Sequence, residues 1–132
     1  MDAIARKLTY INRTPLDAVM FDIDDTLIRS SDKTPIRDSF NILRLAKTFG
    51  YKIIIITARS RESRAWTENQ LRQYGIYWDQ LYFISAGLKG ELKRRTGLRF
   101  VLSVGDLETD CTDSIYKLKL PGPQGSRGYF AG

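Results

Sequence analysis

Histidine is absent from all 132 residues of this chain, and cysteine occurs once, as Cys111. Without an imidazole the chain has no Ser-His-Asp relay, no histidine nucleophile for phosphoryl transfer and no histidine to build the usual zinc sites. A single cysteine excludes an internal disulfide and fits a reducing compartment better than an oxidising one. Cys111 also lacks an imidazole to activate it, so a nucleophile has to be sought among the carboxylates. No apolar run approaches the roughly 18 residues of a membrane span, and residues 1–17 are polar and charged with no stretch of signal-peptide type. A soluble, cytoplasmic protein is the expectation.

With 42% hydrophobic and 27% charged residues, the composition is that of a folded globular chain. The length accommodates one core, so 1–132 reads as a single domain, with the Gly- and Pro-rich 121–132 as a loose tail. Neither an internal repeat nor a low-complexity tract interrupts it. The formal charge of +6 is concentrated in Arg59 to Arg64 and Lys89 to Arg99. Such an excess attracts phosphate esters or nucleic acid, although a solvated helix face accounts for it equally well, and no basic repeat interleaved with aromatics is present.

Alternating apolar runs and amphipathic stretches predict five strands near 18–23, 52–57, 81–85, 100–104 and 115–119, with helices near 35–49, 61–74 and 88–96. That alternation means an α/β fold with a mostly parallel sheet and crossover helices. Thr34-Pro35 reads as a helix cap followed by a first-turn proline, and Gly50 and Gly75 read as helix stops.

The chemistry gathers where apolar strands end. Ala18 to Phe21 runs into Asp22-Ile23-Asp24-Asp25-Thr26. Asp22 and Asp24 are two residues apart, so a regular strand aims them alike, and acids that close repel unless a cation or a proton is shared. Mg2+ suits such a pair because it takes oxygen ligands from one or two carboxylates plus substrate phosphate. A strand followed by an acidic cap is the plainer alternative. Ile53 to Ile56 runs into Thr57, a hydroxyl able to donate to a phosphate oxygen, though a β-branched strand end is common in any case. Lys89, with Lys93 as its rival, offers an ammonium to offset carboxylate and phosphate charge. Phe100 to Val104 leads into Gly105-Asp106-Leu107-Glu108-Thr109-Asp110, where a glycine permitting the turn is followed by an acid placed to complete a metal site.

In that order, the four segments resemble the motifs of the haloacid dehalogenase (HAD) superfamily of aspartate-nucleophile phosphatases. Thr57-Ala58-Arg59, Arg64, Thr67, Asn69, Leu71, Gly75, Lys89, Gly105-Asp106, Asp110 and Lys119-Leu120-Pro121-Gly122-Pro123 look like its acid phosphatase branch, which includes class B, class C-like and plant proteins. Relatives of that branch read Thr-Gly-Arg where this chain has Ala58.

The resemblance implies a Rossmann-like core without a cap domain, since each gap between motifs holds a single helix. It also implies Mg2+-dependent phosphomonoester hydrolysis through an aspartyl-phosphate. Asp22 would be the nucleophile and Asp24 the acid and base; Thr57 and Lys89 would hold the transferring oxygens. The metal would sit among Asp22, Asp24 through its backbone carbonyl, Asp106 and Asp110. Strand ends of an open parallel sheet are where such ligands bind. An open site admits a small phosphorylated molecule, a nucleotide or a polynucleotide end. Two alternatives remain at this point, a non-enzymatic binding or storage protein of the same fold, and a receiver-like domain that accepts phosphate on Asp22.

Overall fold

The computed structural model describes residues 2–10, 14–123 and 125–132. Helix α1 (Asp2–Tyr10) precedes strand β1 (Asp17–Phe21), and helix α2 (Arg37–Thr48) leads to β2 (Lys52–Thr57). Helix α3 (Arg64–Gln73), β3 (Gln80–Phe83), α4 (Lys89–Thr96) and β4 (Arg99–Gly105) follow. The four-residue helix α5 (Glu108–Cys111), β5 (Tyr116–Lys119) and β6 (Tyr129–Ala131) complete the order. One six-stranded sheet runs β3-β2-β1-β4-β5-β6. Every pairing is parallel except that of β6 on β5.

The centre of the sheet is apolar on both faces, as a parallel sheet covered by helices requires. Val19, Phe21, Ile53 and Ile55 join a cluster with Ile4 and Leu8 of α1, Ile42, Leu43 and Ala46 of α2 and Leu71 of α3. Ala18, Met20, Ile54 and Ile56 pack on the other side with Phe100 and Leu92 of α4. Alternation along the strands produces this division. The register between β1 and β4 slips by one residue between Ala18 and Val19, so Ala18 faces Phe100 while Val19 faces Leu102.

β1 has β2 on one side and β4 on the other, so the chain leaves the carboxyl ends of β1 and β4 in different directions and opens a crevice between them. Asp22 and Asp106 lie at those two ends. Each crossover on the β1-β2-β3 side carries one α-helix, and no inserted domain occurs there among the described residues.

Three expectations are corrected. The sheet has six strands rather than five, because residues read as a loose tail contain β6. Tyr116 and Phe130 stack with centroids 6.0 Å apart. The buried Lys119 ammonium also pins the intervening turn by donating to Ser126 Oγ at 3.3 Å and Arg127 O at 2.9 Å. Gln124 of that segment lies outside the described residues. Helix α2 begins at Arg37, not at Pro35, which forms an antiparallel bridge with Ile28. Thr34 is instead held by Asp32 and Arg29. The polar amino-terminal stretch contains α1, whose Ile4 and Leu8 are buried, and the Tyr51 hydroxyl donates to Leu8 O at 2.6 Å. Gly50 and Gly75 do end their helices, at φ of 87° and 70°, a region glycine enters without Cβ penalty. Among the described residues, no helix is long and apolar enough to cross a membrane.

Candidate active site

Asp22 follows the last residue of β1, and its backbone N–H donates to Val104 O of β4 at 3.1 Å, tying the two strand ends together. Lys89, the first residue of α4, extends its ammonium into the crevice and is 1% exposed. It donates to Asp22 Oδ1 at 3.0 Å and to Asp110 Oδ1 at 2.7 Å. Asp110 is fully buried on α5, and its second oxygen accepts the Leu107 N–H at 3.1 Å. Asp106 comes between them in sequence. One carboxylate oxygen from each of Asp22, Asp106 and Asp110 falls within 4.8 Å of the others.

Three buried carboxylates thus face one ammonium. Burial, with the Asp110 charge beside it, drives the Asp22 carboxyl well above its ordinary value against the pull of Lys89. Burial likewise raises Asp106, and Asp110 adds to it. For Lys89 burial works downward, but the flanking Asp22 and Asp110 charges outweigh it and hold the ammonium protonated. A hard divalent cation accepts oxygen donors of this kind and relieves the excess negative charge. The donor set therefore fits such an ion, most freely at Asp22 and Asp106, since Asp110 already spends both oxygens on Lys89 and Leu107.

Asp24 points elsewhere. Its carboxylate receives both arms of Arg59, from Nε at 3.0 Å and Nη2 at 2.8 Å, so its side chain is not part of the three-acid cluster. Arg59 is itself fixed from behind, its Nη1 donating to Gln70 Oε1 at 2.8 Å and Thr67 Oγ1 at 3.2 Å on α3. Thr57 ends β2 fully buried, and its hydroxyl oxygen accepts the Arg59 N–H at 3.1 Å. Asp22, Asp24, Ala58, Arg59, Lys89 and Asp106 all line one crevice of about 280 Å3. Thr57 stands immediately behind its wall.

Geometry separates the two lysines that sequence left open. Lys93, one turn after Lys89, is equally buried but donates to Ser103 Oγ at 2.9 Å and to the carbonyls of Asp110 and Thr112 at 2.6 and 2.7 Å. It props α5 from below, and burial lowers its pKa to about 8. Gly105 also differs from expectation. Its backbone does not adopt a left-handed conformation; instead a Cβ there would stand 2.2 Å from Asp110 Cβ. Glycine is required because Asp110 packs directly over it.

The Arg59 clamp on Asp24 was not foreseen as a contact. Its signal lay in an arginine two residues past the strand-end threonine, with Thr67 and Gln70 three apart on one face of the next helix. Asp25, at a positive φ of 59°, was also passed over; its carboxylate accepts the Ser30 N–H and hydroxyl and closes the loop that bears Asp22 and Asp24.

No family model matches the chain, and no curated protein matches it. Among solved structures, a chain of the Pnkp1/Rnl/Hen1 complex is similar at 27% identity and a TM-score of 0.51, covering 58% of this chain and 31% of that one. The class C acid phosphatase from Bacillus anthracis, solved with tungstate bound, is similar at 18% identity and a TM-score of 0.61, covering 85% and 65% respectively. This chain spans less than two thirds of the length of either. The likenesses support a HAD-like phosphatase fold, an α/β core with a mostly parallel sheet flanked by helices.

Proposed function

We propose that the chain is a Mg2+-dependent phosphomonoester hydrolase that works through an aspartyl-phosphate on Asp22. The observation that carries this reading is the buried Asp22–Lys89–Asp110 chain with Asp106 beside it, at the carboxyl edge of a fold shared with a class C acid phosphatase. A structural ion pair needs one acid per lysine. A third carboxylate opening onto a crevice is costly for stability and useful for holding a cation and a phosphate.

Asp22, Asp106 and the backbone carbonyl of Asp24 would hold the metal, with Asp110 supporting them. When bound, the cation offsets charge on the transferring phosphoryl group. Lys89 keeps Asp22 aimed and ionised and offers a proton to a phosphoryl oxygen. An Asp22 oxygen attacks phosphorus as the bond to the leaving oxygen breaks, and Asp24 hands that oxygen its proton. Asp24 then takes a proton from water, whose oxygen attacks phosphorus and releases Asp22 and inorganic phosphate. Arg59 acts as a positioning residue, since its bidentate grip sets where the Asp24 carboxylate stands. The Thr57 hydroxyl, accepting from Arg59 N, retains its own proton for a phosphoryl oxygen. Charge spreads over the phosphoryl oxygens in this transition state, so positioning and electrostatics supply most of the acceleration.

Hydrolysis of an aryl phosphate with and without Mg2+ tests the reading on the parent and on Asp22→Asn. Metal-dependent turnover that disappears in the variant is expected. Turnover that survives in Asp22→Asn, or that ignores Mg2+, overturns it.

A further inference from the structure

A second groove opens directly off the Asp22 crevice. Ala58 and Arg59 line both, and the groove continues from them with a volume of about 440 Å3. Its polar lining consists of the guanidiniums of Arg59, Arg61 and Arg95 and the hydroxyls of Ser60 and Ser85, and no carboxylate lines it. Phe83, Ile84 and Leu88 supply an apolar floor.

The neighbouring charges make this lining unusual for the protein. Most of the basic excess is already spent. Lys89 and Lys93 are buried in hydrogen bonds, and Arg64, Arg94 and Arg99 are ion-paired with Glu68, Asp113 and Asp17. Arg61 is exposed and forms no ion pair within 4.0 Å among the described residues, although Glu62 lies close enough to feel its charge. Arg95 pairs only with Glu91 one turn away, both side chains well exposed, a surface contact that a phosphate readily replaces. By contrast, the cavity on the other side of Ala86 is lined by Glu91 and Asp113 and repels anions.

An aromatic platform stands at the junction. Trp66 is 57% exposed, and the Arg59 guanidinium carbon lies 5.2 Å from its ring centroid. A large exposed indole costs solubility unless something covers it. Guanidiniums spaced along a groove beside an exposed ring are what a single nucleic-acid strand engages, its phosphates on the cations and a base on the ring. A small ester needs neither.

We propose that this groove binds a single-stranded nucleic acid whose terminal phosphate enters the Asp22 crevice. Arg61 and Arg95 contact the internucleotide phosphates nearest the end, and Trp66 stacks on a base. The proposal rests on the phosphatase reading above and names its substrate class.

The test measures kcat/KM for an aryl phosphate, for a nucleoside monophosphate, and for oligothymidylates phosphorylated at the 3′ or the 5′ end, each across a salt series. The parent is expected to prefer one phosphorylated oligonucleotide over the mononucleotide by about ten-fold or more at low salt, with the advantage lost as salt rises. Arg61→Ala with Arg95→Ala is expected to lower the oligonucleotide-to-aryl-phosphate ratio of kcat/KM about ten-fold and to flatten the salt slope by about two, one per lost phosphate contact. Trp66→Ala should lower the same ratio without changing the salt slope. Melting temperatures of the variants report whether they remain folded.

If the parent hydrolyses aryl phosphate but gains nothing from the strand, or prefers a phosphopeptide, this inference is overturned and the phosphatase reading stands. An equal loss on all substrates in the double variant overturns it as well. If no substrate is turned over, the phosphatase reading itself fails.

Discussion

The Lys89 ammonium stands 3.0 Å from Asp22 Oδ1 in a setting where neither side chain has appreciable access to water. The same ammonium holds Asp110, so one lysine fixes the orientation of the acid at the end of β1 against the acid on α5. Lys89→Met removes the charge but keeps the length. It leaves two buried carboxylates facing each other, which costs about 3 kcal/mol or more. A fall in denaturation midpoint of that size is expected, together with about a 100- to 1,000-fold loss of kcat on aryl phosphate. An unchanged midpoint in urea would contradict the pairing.

Gly105 and Asp110 form the second dependency. A methyl at position 105 meets the Asp110 side chain at its Cβ, which cannot swing aside as a chain terminus can. Gly105→Ala should therefore cost about 1–3 kcal/mol by overpacking and displace the carboxylate that Lys89 holds. Activity should fall more than stability alone explains. Gly87→Ala, where nothing lies within 4 Å, is the control and should leave both close to the parent.

The acid limb of the stability curve is set in part at the far end of β1. Arg99 donates to both oxygens of Asp17 at 2.6 and 2.8 Å, and this holds the Asp17 carboxyl below its ordinary 3.8, with Thr14 assisting. A depressed carboxylate stabilises the fold above its unfolded pKa, and the gain is lost as pH falls through the lower folded value. Asp17→Asn should thus cost about 1–2 kcal/mol near neutrality, a modest figure because Arg99 is partly solvated, and progressively less below pH 3.8. Urea melts at pH 7, 5 and 3 measure the difference.

Asp22 and Asp106 have the opposite sign. Their carboxyl groups are raised above 3.8, so without metal their contribution is full below that value and fades as pH rises through their folded values. A divalent cation competes with those protons and should stabilise more as pH rises. At 100-fold excess over its dissociation constant, Mg2+ should add about 2.7 kcal/mol. Asp106→Asn should abolish most of that gain while keeping the fold, as read by thermal melts with Mg2+ and with EDTA.

Strands β1, β2 and β4 were legible because both faces of a central parallel strand are apolar and each ends abruptly in an acid or hydroxyl. That same pattern placed Asp22, Thr57 and Asp106 at one edge of the sheet. Lys89 and Lys93 could not be told apart, since one turn separates them on the same buried face and only the position of α5 decides which reaches Asp22. Helix α1 was missed because two apolar residues, Ile4 and Leu8, make a weak periodic signal that tertiary burial completes. Strand β6 was hidden in Gly- and Pro-rich sequence whose order comes from a stacked ring and a buried lysine. The net charge misled, because it counts arginines whose partners are distant in sequence, as with Arg99 and Asp17.

The central claim is that Asp22 carries the phosphoryl group. Acid quenching during turnover of a phosphate ester, followed by peptide mass analysis after trapping of acyl phosphates by reduction, reads this directly. The expected result is modification of Asp22 that requires Mg2+ and substrate, accumulates when Asp24→Asn slows hydrolysis of the intermediate, and is absent in Asp22→Asn. Turnover with no modified Asp22 under those conditions, or with the label on another residue, would contradict it.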